Sequence, residues 1–118
     1  MAQAMKIAIV DDEKDMRTYL EAVFRKAGYE TESAEDGDQG VWLAEAKQPD
    51  LITLDLEMPD EWGPRFYRKL RKEKALRDIP VIVVSGIDGD HAIQSAVAFV
   101  KKPFDPEKLV GIVKNTSG

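Results

Sequence analysis

Short apolar runs along this chain alternate with longer stretches in which apolar residues recur every three or four positions. Lys6–Val10, Leu51-Ile-Thr-Leu54, Ile79-Pro-Val-Ile-Val-Val84 and Ala98-Phe-Val100 are apolar and rich in β-branched residues, a pattern that predicts buried strands. Tyr29 to Ala34 alternates with threonine, serine and glutamate, which predicts an edge strand with one wet face. Between them, Met16, Tyr19, Leu20, Val23, Phe24 and Ala27 form one face of an amphipathic helix that Gly28 stops. Asp36-Gly37 marks a turn, and a second helix is expected around Val41 to Lys47. A third runs from Pro64, suited to a first helical position, to Glu73, with Phe66 and Leu70 on one face. Asp105-Pro106-Glu107 opens the last helix as an N-cap followed by proline, and Leu109, Ile112 and Val113 give its apolar face.

Strands alternating with helices predict an α/β fold. The expected form is a five-stranded parallel sheet, doubly wound, with four strands apolar throughout. Between Ser85 and Lys102 only His91 to Ala96 has helical character, and Gly86-Ile-Asp88-Gly89-Asp90 is turn-like, so the fourth helix is expected to be shortened or irregular. The domain is expected to span 6–115. Residues 1–5 read as a cloning remnant or disordered start, with Met5 the natural beginning, and 116–118 as a tail.

Composition narrows the function without naming it. The 118 residues suit one domain; 43% hydrophobic and 33% charged residues suit a globular one. The absence of cysteine excludes disulfides and thiolate metal sites and fits a cytoplasmic location. A net charge of −5 argues against direct nucleic-acid binding by this domain, and no run is long enough for a membrane span. No Gly-x-Gly-x-x-Gly follows the first strand, which disfavours a dinucleotide site.

Chemistry concentrates where the predicted strands end. Strand one ends at Asp11 and Asp12, strand three at Asp55, strand four at Ser85, and strand five at Lys102. In parallel sheets this carboxyl edge is the ligand-binding edge. Three carboxylates in one crevice repel one another unless a cation offsets them; a hard divalent ion such as Mg²⁺ suits an oxygen-only set. Lys102 and Ser85 suit a phosphoryl oxygen, and together these groups describe an aspartyl-phosphate site.

The motifs Ile9-Val10-Asp11-Asp12-Glu13, Asp55-Leu-Glu-Met-Pro59 with Gly63, Val83-Val84-Ser85-Gly86 and Phe99-Val-Lys101-Lys102-Pro103-Phe104 occur in that order. With them the chain resembles the response-regulator receiver domains of two-component signalling, from Lys6 to the last helix, a resemblance that implies a flavodoxin-like sheet in the order 2-1-3-4-5. The resemblance implies phosphorylation at Asp55 by a histidine-kinase phosphohistidine or a phosphotransfer protein, with Mg²⁺ bound directly by Asp12 and Asp55. It further implies that Asp11 contributes largely through water and Glu57 through its backbone carbonyl. Lys102 would then hold the phosphate, Ser85 close on it and Phe99 turn inward as a switch, and the Lys102-Pro103 peptide would be cis. For Phe99, core packing on a short central strand is the competing reading. The domain would be a signalling phosphoacceptor rather than an enzyme, passing its state to a downstream protein target or to an output domain beyond this chain.

Two other readings compete: a pseudo-receiver that works without phosphorylation, and a haloacid-dehalogenase-type phosphatase, which carries its nucleophile on the first strand. The short segment after Ser85 argues against the family's common symmetric dimer. Trp62 is a partner contact or a loop anchor, Trp42 an ordinary helix-face residue, and His91 a surface residue. The basic run Arg65 to Lys74 reads as a solvated helix face.

Overall fold

The computed structural model describes residues 5–59, 62–86 and 96–117. Its elements run β1 (Lys6–Val10), α1 (Lys14–Lys26), β2 (Glu30–Ala34), α2 (Gly37–Lys47), β3 (Leu51–Leu54), α3 (Trp62–Lys72), β4 (Val81–Ser85), β5 (Ala98–Lys101) and α4 (Pro106–Ser117). Every strand pair is parallel and the sheet order is β2-β1-β3-β4-β5, as expected. The expected helix within His91 to Ala96 lies almost wholly outside the described residues, so α4 here is the C-terminal helix.

The unbroken apolarity of β1, β3 and β4 follows from burial on both faces. Ile7 and Ile9 of β1 point to a cluster with Leu20 and Phe24 of α1 and Leu109 and Val113 of α4. Ala8 and Val10, one position out of phase, point to Leu43 and Ala44 of α2 and Phe66 and Leu70 of α3. Phe24 and Phe66 are fully buried on opposite sides of the sheet; truncating either to alanine costs roughly 3–5 kcal/mol.

β5 departs from the expectation of apolarity throughout. It closes the sheet at the second edge, with Ala98 and Val100 half-buried and Phe99 and Lys101 outward. Phe99 is 40% exposed, so it is neither on a central strand nor in the core.

Helix ends account for the other differences. α2 begins at Gly37 rather than near Val41, because Asp36 is its N-cap and accepts a hydrogen bond from the Gln39 amide at 2.8 Å. Two glycines and an aspartate in its first turn look like a loop in sequence. α3 begins at Trp62, so Pro64 is its third residue. α1 does end before Gly28, whose φ of 99° favours glycine. Asp105 caps α4 through the Glu107 amide at 2.9 Å, and the helix continues through Thr116, where a tail was expected. Trp42 lies on the outer face of α2, 63% exposed.

Candidate functional site

Strand register assembles the site. Val10 pairs with Leu54, so the next residues, Asp11 and Asp55, leave adjacent strands side by side. The order of strands reverses here, with β2 to one side of β1 and β3 to the other, which opens a crevice at the carboxyl edge. Backbone bonds continue each ladder one residue into the site: the Asp55 amide donates to the Val10 carbonyl at 3.0 Å, and the Asp11 amide to the Ala34 carbonyl at 3.1 Å. On the far side Ser85 pairs with Lys101, and the Lys102 amide donates to the Ser85 carbonyl at 2.8 Å.

Asp11, Asp12 and Asp55 each present a carboxylate oxygen within 4.8 Å of the others. Asp11 and Asp55 are buried, while Asp12 is exposed at the rim. Lys102 reaches this group from beyond β5. Its Nζ lies 2.9 Å from Asp11 Oδ2, 3.6 Å from Asp55 Oδ2 and 3.8 Å from Glu13 Oε1. The Lys102-Pro103 peptide is cis, as the resemblance implied. Ser85 is buried at the end of β4, and Phe99 is exposed on β5.

The two aspartates on the floor are held at their outer oxygens. Asp11 Oδ1 accepts from the Glu13 amide at 2.9 Å, and Asp55 Oδ1 from the Glu57 amide at 3.0 Å. Burial is the main influence on Asp11 and pushes its pKa up; the Asp55 charge adds to this, while the bonds from Glu13 and Lys102 oppose it. Burial would lower the pKa of Lys102, but its bond to Asp11 and the charges of Asp55, Asp11 and Glu13 outweigh that and raise it. The lysine is a fixed cation within an acidic pocket.

Arg17 is a part of the site that the sequence reading missed. Its Nη1 donates to the Asp11 carbonyl at 2.8 Å and its Nη2 lies 3.9 Å from Glu35 Oε2, tying the β1–α1 loop to the segment after β2. Its position one turn into α1, just after the paired aspartates, was the available signal. Glu13 was quoted only as part of a motif, and its carboxylate faces Lys102. Glu57 turns its exposed side chain across Gly86, beside Ser85. The side chain of Trp62, and His91 entirely, fall outside the described residues.

A family model, the response regulator receiver domain, matches residues 7–114. The chain belongs to that family. Receiver domains are signalling domains of two-component systems that meet histidine kinases and downstream effectors. The chain is 37% identical over 109 residues to Protein Rrf1 of Nitratidesulfovibrio vulgaris, covering 92% of this chain and 79% of Rrf1. It is 34% identical over 116 residues to the phosphate regulon transcriptional regulatory protein PhoB of Escherichia coli, covering 94% of this chain but 51% of PhoB. Among solved structures, the receiver domain of sensor histidine kinase PA1611 from Pseudomonas aeruginosa superposes with a TM-score of 0.88. It is 27% identical, over 98% of this receiver and 99% of that chain, and its description names a magnesium ion coordinated in the active-site cleft. No helix among the described residues is long and apolar enough to cross a membrane.

Proposed function

We propose that this receiver is a phosphoacceptor: Asp55 takes a phosphoryl group from a phosphohistidine and the phosphorylated domain changes its protein contacts. The observation that carries the reading is the meeting of Asp11, Asp12 and Asp55 within 4.8 Å, with Lys102 Nζ 3.6 Å from Asp55. Such a set suits phosphoryl transfer, in which catalysis is mostly positioning and charge stabilisation.

The donor set fits a hard divalent cation, being all oxygen with no histidine or cysteine among the clustered residues. Asp12, Asp55, Asp11 and the Glu57 carbonyl would hold Mg²⁺. When bound, the ion offsets charge on the phosphoryl oxygens. Both oxygens of Asp11 already have partners, Glu13 N and Lys102 Nζ, which supports contact through water rather than direct ligation.

In the transfer, the Oδ2 of Asp55 forms the bond to phosphorus as the phosphorus–nitrogen bond of the donor breaks; that bond's electron pair stays on the released imidazole nitrogen, which takes a proton from solvent. Asp55 Oδ1 stays bonded to the Glu57 amide, which fixes the carboxylate plane. Lys102, already charged and close by, turns to an equatorial oxygen. Ser85 then closes on the phosphoryl group, and the exposed Phe99 turns inward. Residues 6–115 act as one receiver unit, in the cytoplasm, as a phosphoacceptor rather than an enzyme with its own substrate. Its partners are a sensor histidine kinase or phosphotransfer protein and a downstream protein, with no direct nucleic-acid contact. The chain spans about half of regulators such as PhoB, so an output domain beyond it is one form that target takes.

Intact mass after incubation with acetyl phosphate, with and without Mg²⁺, tests the reading. One phosphoryl group is expected with Mg²⁺ and none in Asp55→Asn. The same label in that variant would overturn the site; no label under conditions that modify a control receiver would favour a pseudo-receiver.

A further inference from the structure

Charge is distributed unevenly along this acidic chain. Residues 65–77 hold seven of the 17 basic residues and one of the 22 acids, so that segment carries +6 and the remainder −11. α3, which forms most of it, contains no acidic residue. Phe66, Tyr67 and Leu70 turn one face of α3 into the core, and Arg65, Arg68, Lys69 and Lys72 stand on the other. Their spacing of three and four residues makes each cation the neighbour of another, an arrangement that destabilises a helix. Solvated helix faces commonly interleave both signs, and this one carries a single sign. The four side chains line a shallow hollow of about 160 Å³.

Arg71 shows the contrast. Its Nη1 donates to the Arg77 carbonyl at 2.6 Å and its guanidinium lies 6.0 Å from the Tyr67 ring centre, so it serves the fold. Arg68, Lys69 and Lys72 are exposed and have no hydrogen-bond or ion-pair partner among the described residues.

We propose that the outer face of α3 is a docking surface for an acidic helical segment of a protein partner, with carboxylates repeating every three and four residues. The four cations span eight residues, roughly 10 Å along the helix axis, which matches two turns of such a segment. A nucleic acid fits less well: duplex DNA carries a charge about every 1.7 Å along its axis and would run off this patch onto an otherwise acidic surface. A membrane fits less well because, among the described side chains, the exposed large hydrophobic residues are Tyr19, Trp42, Val97 and Phe99, none of them on α3. The surface is separate from the acid cluster, so the inference stands apart from phosphorylation of Asp55.

Fluorescence anisotropy of the full chain tests it. The probe is a labelled helical peptide carrying four glutamates at the spacing of Arg65, Arg68, Lys69 and Lys72. The expected result is saturable binding that falls about tenfold in Arg68→Glu/Lys72→Glu and weakens as salt rises across the range where the Debye length shortens from about 10 Å. The charge-reversed chain is expected to bind the matching four-lysine peptide instead. Arg68→Gln/Lys72→Gln, judged folded by circular dichroism, should lose several-fold and covers the case in which reversal prevents folding. Asp55→Asn should bind as the parent chain does. Unchanged binding in either double variant would overturn the proposal. So would equal binding of a peptide with its four glutamates consecutive, or tighter binding of duplex DNA or of phosphatidylserine vesicles.

Discussion

The carboxylate of Glu57 lies over the α-carbon of Gly86, in the space that a side chain at position 86 would fill. Gly86 follows the buried Ser85, and the Glu57 amide bonds to Asp55, so this contact bridges the ends of β3 and β4 beside Asp55. Under the proposed chemistry, a carboxylate there would repel the hydrolytic water or alter the hold on a divalent ion. Glu57→Ala is expected to shorten the lifetime of the phosphorylated chain by a few-fold, about 1 kcal/mol of barrier. Gly86→Ala displaces the same side chain at little cost in stability and should reproduce part of the change. The double variant should then show less than the sum of the two. Decay of the phosphorylated mass is the measurement, and an unchanged rate in Glu57→Ala would sink the idea.

Gly63 is a point of close approach. A Cβ there would lie 2.6 Å from the Leu56 α-carbon and 2.7 Å from the Asp55 carbonyl oxygen, both backbone atoms with no rotamer to adjust. Gly63→Ala must therefore move α3 or the segment carrying Asp55. The expected cost is about 1–3 kcal/mol in denaturant unfolding, with a drop in phosphoryl labelling greater than the unfolded fraction explains. Labelling at the parent rate in a destabilised but folded variant would separate α3 from the site.

Arg17 is expected to act by positioning the β1–α1 loop. Its bond to the Asp11 carbonyl joins a charged donor to a part-buried acceptor, and such bonds contribute roughly 1.5–3 kcal/mol. Arg17→Ala should weaken Mg²⁺ binding several-fold, read by calorimetry without any phosphoryl donor. Arg17→Lys should recover part of that affinity. A stability loss with Mg²⁺ affinity unchanged would show that the arginine serves the fold alone.

The raised pKa of Asp11 sets a sign for pH dependence. Burial leads the folded chain to hold this proton more tightly than the unfolded chain does. The associated stability is therefore present below the ordinary value of 3.8 and is lost as pH rises through the folded value. Asp11→Asn has no such proton. Without divalent ions, the stability of the parent chain relative to Asp11→Asn should fall as pH climbs from about 4 and then level off. A difference that stays flat to neutral pH would contradict the assignment.

The strands and the acid cluster were legible because strands covered on both faces are unbroken apolar runs, and their ends fall at Asp11, Asp55 and Ser85; the order of the strands was legible only through the family resemblance. Lys102 was legible through the Pro103-Phe104 pair that follows it. Less legible was anything decided by a neighbour rather than by the chain itself. β5 looks like a core strand until its place at the sheet edge exposes Phe99. The glycines of α2 look like loop because the reason for Gly40 is the Phe66 ring packed against it, 2.8 Å from where a Cβ would be. Arg17 belongs by periodicity to a helix's polar side, and only the fold turns it toward Asp11.

Asp55 is 2% exposed and stands on the floor of the crevice, below Asp12 at the rim. Under the proposed chemistry this depth selects donors by shape. A phosphohistidine flush with a flat protein surface would be stopped by the rim before its phosphorus came within bonding reach. The competent donors are small molecules that diffuse in, and side chains carried on a ridge narrow enough to enter. Depth alone thus makes convexity a requirement on the kinase side, ahead of any complementarity of sequence between the two surfaces.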